Sequence, residues 1–79
     1  MNNRVDQTLD ARGLLCPEPV FRASRALAMM PPGATLVVLA DDPLAELDLR
    51  VFCERSGHVL IDAAAEAGIS TVRIRRRSG

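Results

Sequence analysis

The chain has 79 residues, nearly half of them apolar and a quarter charged, with ten basic residues balanced by ten acidic ones. A chain this short buries only about 60% of the surface its unfolded form exposes, which leaves no room for a cofactor domain beside a large catalytic cleft. Zero net charge and the absence of Trp and Tyr argue against direct RNA binding through a basic, base-stacking surface, and no apolar run approaches the ~20 residues that span a bilayer. The reading is one domain over 1–79 with its core at about 5–75. Met1 to Asp10 has no signal-peptide pattern, so the expected location is the cytoplasm, where the two Cys are free thiols and not a structural disulfide.

Taken in order, Val5 to Ala11 alternates and predicts a first strand, with Val5, Gln7, Leu9 and Ala11 on one face. Arg12-Gly13-Leu14-Leu15 turns the chain into Cys16. Pro17 and Pro19 fall where a helix begins, a place that tolerates proline, and Val20, Ala23, Leu27 and Met30 follow at helical spacing until Pro31-Pro32-Gly33 ends the pattern. Thr35–Ala40 is a continuous apolar run, a strand buried on much of both faces. Asp42 stands ready to cap a second helix that starts at Pro43, carries the stripe Leu44, Leu47, Val51 and Phe52, and stops at Gly57. His58 to Ala63 predicts a third strand with Val59 and Ile61 on one face. Glu66 to Ser70 is a turn, and Thr71 to Arg75 a last strand with Val72 and Ile74 inward. The order β-α-β-α-β-β predicts an α/β two-layer sandwich: a four-stranded mixed sheet with two helices on one face.

The chemistry concentrates in Cys16-Pro17-Glu18-Pro19. A helix N-terminus offers unpaired N–H groups and a partial positive charge. Pro17 and Pro19 remove two donors and leave those of Glu18 and Val20 for an anion at Cys16. This setting favours a thiolate, the nucleophilic form of cysteine. Glu18 opposes a second negative charge and Arg12 stands nearby to offset it; sequence leaves that balance open. No CxxC pair, phosphate loop or clustered metal-ligand spacing accompanies Cys16, so no cofactor and no metal are expected. A lone, helix-capped sulfur suits a carrier better than a complete enzyme.

Cys53 lies on the apolar side of the second helix and reads as a core thiol, with a resolving cysteine as the other option. His58, the only His, reads as a structural hydrogen-bonding residue. Asp10, Asp41, Asp42 and Asp48 read as turn, cap and exposed helix residues, and Met29-Met30 as core. Arg73, Arg75, Arg76 and Arg77 read as a solvated strand face and terminus more than an anion-binding or docking patch.

Leu9-Asp10-Ala11-Arg12-Gly13-Leu14-Leu15-Cys16-Pro17-Glu18-Pro19 resembles the signature of the TusA/SirA-like sulfur carriers. Pro32-Gly33, Asp41-Asp42-Pro43, Asp48, Phe52-Cys53 and His58 extend the resemblance over roughly Leu9 to Arg75. Leu49-Arg50 stands where the family often carries a proline, so a more regular second helix is expected. The resemblance implies the same sandwich and a sulfurtransferase role. Cys16 would take sulfane sulfur as a persulfide from a cysteine desulfurase or rhodanese-like donor and relay it to an acceptor protein. Arg12, Gly13, Pro17, Glu18 and Pro19 would support it. The destination could be tRNA 2-thiouridine, molybdenum cofactor or sulfur oxidation. A regulatory interaction module without enzymatic activity and a Cys16–Cys53 redox switch are the alternatives on the same fold. The isolated chain is expected to be a monomer that docks transiently through small, partly polar interfaces.

Overall fold

The computed structural model describes residues 5–78. Met1–Arg4, part of the segment read above for a signal peptide, and Gly79 lie outside the described residues. The elements in chain order are β1 (Gln7–Asp10), α1 (Glu18–Ala28), β2 (Thr35–Ala40), α2 (Ala45–Ser56), β3 (Val59–Glu66) and β4 (Ile69–Arg75). The strands lie in the order β1-β2-β4-β3, with β1 parallel to β2 and the other neighbours antiparallel. This is the predicted mixed sheet, and both helices pack on one face of it.

The core sits between the layers. Leu36 and Val38 of β2 and Val72 and Ile74 of β4 meet Ala23 and Leu27 of α1 and Leu49 and Cys53 of α2. Leu27, Leu36, Leu49 and Ile74 are sealed from solvent, and each such side chain contributes about 1.5–3 kcal/mol of apolar burial. The α1 stripe runs inward as its spacing predicts. Met29 departs from expectation: it is 87% exposed, while Met30 packs into the core.

The inward face of α2 differs from the stripe its spacing suggested, and β3 carries a bulge that its alternation did not show. In α2 the buried row is Ala45, Leu49 and Cys53, whereas Leu44, Leu47 and Val51 are exposed. The helix carries two apolar rows, and the smaller row takes the close contact with the sheet. In β3 a register shift between Leu60 and Asp62 turns Val59 and Ile61 outward and sets Leu60 and Ala63 against the core. A bulge of this kind inserts one residue and flips the alternation. The strand also runs further than predicted, because Ala67 and Gly68 alone close the hairpin with positive φ angles of 54° and 80°, the signature of a two-residue turn.

The helix ends depend on the C-terminal arginines. Arg76 Nε donates to the Leu27 carbonyl at 2.9 Å and Arg77 Nη1 to the Ser56 carbonyl at 3.0 Å. Each thus bonds a carbonyl at a helix C-terminus, where positive charge is favourable; the Leu27 carbonyl also accepts Met30 N–H at 3.1 Å. Arg73 pairs with Asp62 across the hairpin. The expectation of a merely solvated run is corrected here: three of these four arginines hold structure together. Gly57 ends α2 in the left-handed conformation at φ 87°, as predicted, and α2 is unbroken through Leu49-Arg50.

Candidate functional site

β1 and β2 are parallel neighbours, so the segments leaving their carboxyl ends emerge side by side before entering α1 and α2. In open α/β sheets this is where ligands gather. Here the first segment carries Cys16 and the second carries Asp41 and Asp42. Gly13 N–H donates to both Asp41 carboxylate oxygens, at 3.0 and 3.1 Å. Cys16 N–H donates to Asp42 Oδ2 at 2.9 Å, and the other Asp42 oxygen accepts Leu44 N–H at 2.8 Å. Asp42 is not the N-cap expected of it: α2 begins at Ala45 with Leu44 at its N-cap, and the Asp42 carboxylate instead bridges the two segments. Gly13 has φ +84°, a left-handed angle that strains any residue with a Cβ.

Cys16 itself is an exposed free thiol, joined to Pro17 by a cis peptide bond. Its Sγ donates a hydrogen bond to Asp48 Oδ2 on α2. Asp48, read from sequence as an exposed helix residue, is thus the side chain nearest the chemistry. The thiol is pushed up from its ordinary range, first by that hydrogen bond, then by desolvation and by the charges of Asp48 and Asp42.

This overturns the expected thiolate-favouring setting. The N–H groups expected to be free are engaged, Glu18 N–H with the Leu15 carbonyl at 2.8 Å and Val20 N–H with the Pro17 carbonyl at 3.1 Å. Arg12 is directed chiefly at Asp10 and only secondarily, through its charge, at Asp41. Its guanidinium grips Asp10 through Nε at 2.9 Å and Nη2 at 2.8 Å, while Glu18 lies 3.5 Å from Arg22. Pro19 is buried and Pro17 stands at the N-cap of α1.

Between α1 and α2 an apolar groove of about 570 Å³ opens beside the sulfur, lined by Cys16, Val20, Leu47, Val51 and Phe52, with Asp48 and Arg55 among its polar walls. The outward row of α2 is therefore one wall of the groove. Cys53 lies on the other side of the helix, only 4% exposed, and burial pushes its thiol up to about 11. His58 is also remote from this chemistry: its Nδ1 accepts Arg77 N–H at 3.0 Å, and its ring lies 5.7 Å from that of Phe52. Both residues take the structural roles read from sequence. Among the described residues no cluster of His, Cys, Asp or Glu is arranged to hold a metal ion, and no helix is long and apolar enough to cross a membrane.

The carboxylates give the fold a defined acid sensitivity. Arg12 holds Asp10 down to about 2 from 3.8, and the N–H groups of Cys16 and Leu44 lower Asp42. Groups depressed in the folded state add stability that is complete above the unfolded value and is lost as pH falls through the folded one. Thermal melts should therefore drop as pH falls from about 4 to about 2, and Asp10→Asn should flatten that drop; an unchanged acid slope in the variant would exclude Asp10 as its source.

The family described as Sulfurtransferase TusA matches residues 7–76. The chain is 43% identical over 74 residues to the sulfur carrier protein TusA of Pseudomonas fluorescens, covering 94% of this chain and 89% of that one. It is 40% identical over 78 residues to the sulfur carrier protein TusA of Pseudomonas aeruginosa, covering 99% of each. Among solved structures it resembles a SirA-like protein from Desulfitobacterium hafniense, with a TM-score of 0.79 and 32% identity over 90% of this chain and 97% of that one. The fold and the chemistry-bearing loop thus define a two-layer α/β protein of the SirA-like kind. The chain belongs to the TusA family.

Proposed function

We propose that this protein is a sulfur carrier that takes sulfane sulfur as a persulfide on Cys16 and relays it to an acceptor protein. The observation that carries the reading is an exposed thiol on a loop tied down by Asp41 and Asp42, at the mouth of an apolar groove. A carrier must offer its sulfur to two partners in turn, which an open loop allows and a deep pocket does not. The fixed backbone at Gly13 and Cys16 holds the sulfur in one place despite its exposure. Arg12, Gly13, Pro17, Glu18 and Pro19 support the site by shaping the loop. The exposed side chains Leu15, Leu44, Leu47 and Val51 offer the apolar contact that transient docking uses.

The donor in this reading is a cysteine desulfurase or a rhodanese-like protein, and the relay runs through proteins in the cytoplasm. Family resemblance makes 2-thiouridine formation in tRNA the first destination to test. A disulfide switch draws no support from the geometry, since Cys53 faces the core and Cys16 faces solvent.

Incubation with a cysteine desulfurase and cysteine, followed by intact-mass measurement, tests the carrier reading. A gain of one sulfur that a reductant removes, located on the peptide bearing Cys16, is the expected result. A folded protein that gains no sulfur from a desulfurase, a rhodanese or polysulfide would sink it.

A further inference from the structure

We propose that Asp48 sets how readily sulfur leaves Cys16: by accepting the Sγ hydrogen it favours the unloaded thiol over the persulfide, so that sulfur once received is readily surrendered. The inference rests on the carrier reading above and adds to it a residue that touches the reacting atom.

Loading is an exchange. The donor persulfide and the Cys16 thiol become a donor thiol and a Cys16 persulfide. The Sγ–H bond and the donor S–S bond break; a bond from Sγ to the sulfane sulfur and a donor S–H bond form. Sulfane sulfur moves between like thiols, so no external oxidant or reductant is needed. The proton that leaves Sγ ends on the departing donor thiolate, and the Asp48 carboxylate, already hydrogen-bonded to it, is placed to pass it on.

The hydrogen that Asp48 accepts is the one that the sulfane sulfur replaces. Loading therefore forfeits a hydrogen bond to a charged acceptor, the stronger kind. A persulfide anion would also sit against carboxylates. The charges that act on Cys16 are Asp48 from α2 and Asp42 from the β2–α2 segment; Arg55 of α2 shares the groove, Asp41 is bonded to Gly13 N–H, and Arg12 and Glu18 belong to the segment that carries Cys16. Arg12 is engaged by Asp10 and Glu18 lies near Arg22, and among the described residues no ion pair joins Arg55 to Asp48. The balance around the sulfur is negative, and the raised Cys16 pKa has the same cause. On hand-over the acceptor thiolate attacks the outer sulfur, the Sγ–S bond breaks, and Sγ regains its proton and its bond to Asp48.

Two readouts on wild type, Asp48→Asn and Asp48→Ala test this. Equilibration with glutathione persulfide at a fixed glutathione ratio gives the loaded fraction by intact mass. Asp48→Ala should raise the loading equilibrium constant about tenfold, and Asp48→Asn by less, because the amide still accepts a hydrogen bond. The pH profile of Cys16 alkylation by iodoacetamide should shift down in both, leaving more thiolate at neutral pH. An unshifted alkylation profile overturns the inference, as does a wild type that loads beside variants that load no further. A wild type that never loads removes the carrier reading and this inference together. Circular dichroism establishes that the variants are folded, as expected for a side chain whose recorded partner is the Cys16 thiol.

Discussion

Cys16→Ser is expected to abolish sulfur loading and leave the melting temperature nearly unchanged, while Cys53→Ser should do the opposite. Cys16 is exposed, and its side chain makes one recorded hydrogen bond, which a serine hydroxyl can also make to Asp48. Removing the sulfur removes the nucleophile and little else. Cys53 is buried among Leu27, Leu49 and Val72 as part of the core cluster. A hydroxyl placed there without a partner costs about 1–3 kcal/mol. Intact-mass loading and thermal denaturation on the two variants separate the roles. Loss of loading in a well-folded Cys53→Ser protein would show that the second thiol takes part in the chemistry.

The second large effect is one of stability, and it rests on two leucines two residues apart. Leu49→Ala should cost about 2–5 kcal/mol, the usual range for emptying a sealed core position. A domain of this size has only about 4–12 kcal/mol in hand, so the variant should melt at least about 8 °C lower, at about 4–8 °C per kcal/mol. Leu47 is 57% exposed in the groove wall, so Leu47→Ala should leave the melting temperature within a few degrees. If it instead weakens sulfur exchange with a donor protein, the groove is a docking surface. Equal destabilisation by the two substitutions would mean that α2 is rotated from the orientation described here.

The contrast between these leucines also marks how far the sequence could be read. Element order, sheet class and the inward faces of α1 and β4 followed from spacing, because each carries one clear apolar row. α2 carries two, Leu44-Leu47-Val51 and Ala45-Leu49-Cys53, and spacing alone favoured the bulkier. Packing against the sheet selected the row whose small residues allow close approach. In β3 alternation failed at a bulge that no local residue announces. Cys16 stood out as the candidate reactive residue from its neighbours Pro17 and Pro19, yet its electrostatics did not. The local chain pointed to helix N–H groups, and these are consumed by Leu15 and Pro17. The acids that matter lie 26 and 32 positions away. A usable signal did exist: a parallel β1–β2 pair brings the segments after both strands together, and Asp41-Asp42 directly follows the second.

The double use of Asp42 has a consequence for how the loop moves. One carboxylate holds the amides of Cys16 and Leu44, one on each oxygen, so neither can be released without disturbing the same side chain. Hydrogen exchange at these two amides should be slowed together and should quicken together when Asp42 is replaced. The nitrogen of Cys16 then becomes a built-in reporter: its resonance, read residue by residue, registers any partner that loosens the clasp, whether or not sulfur has changed hands.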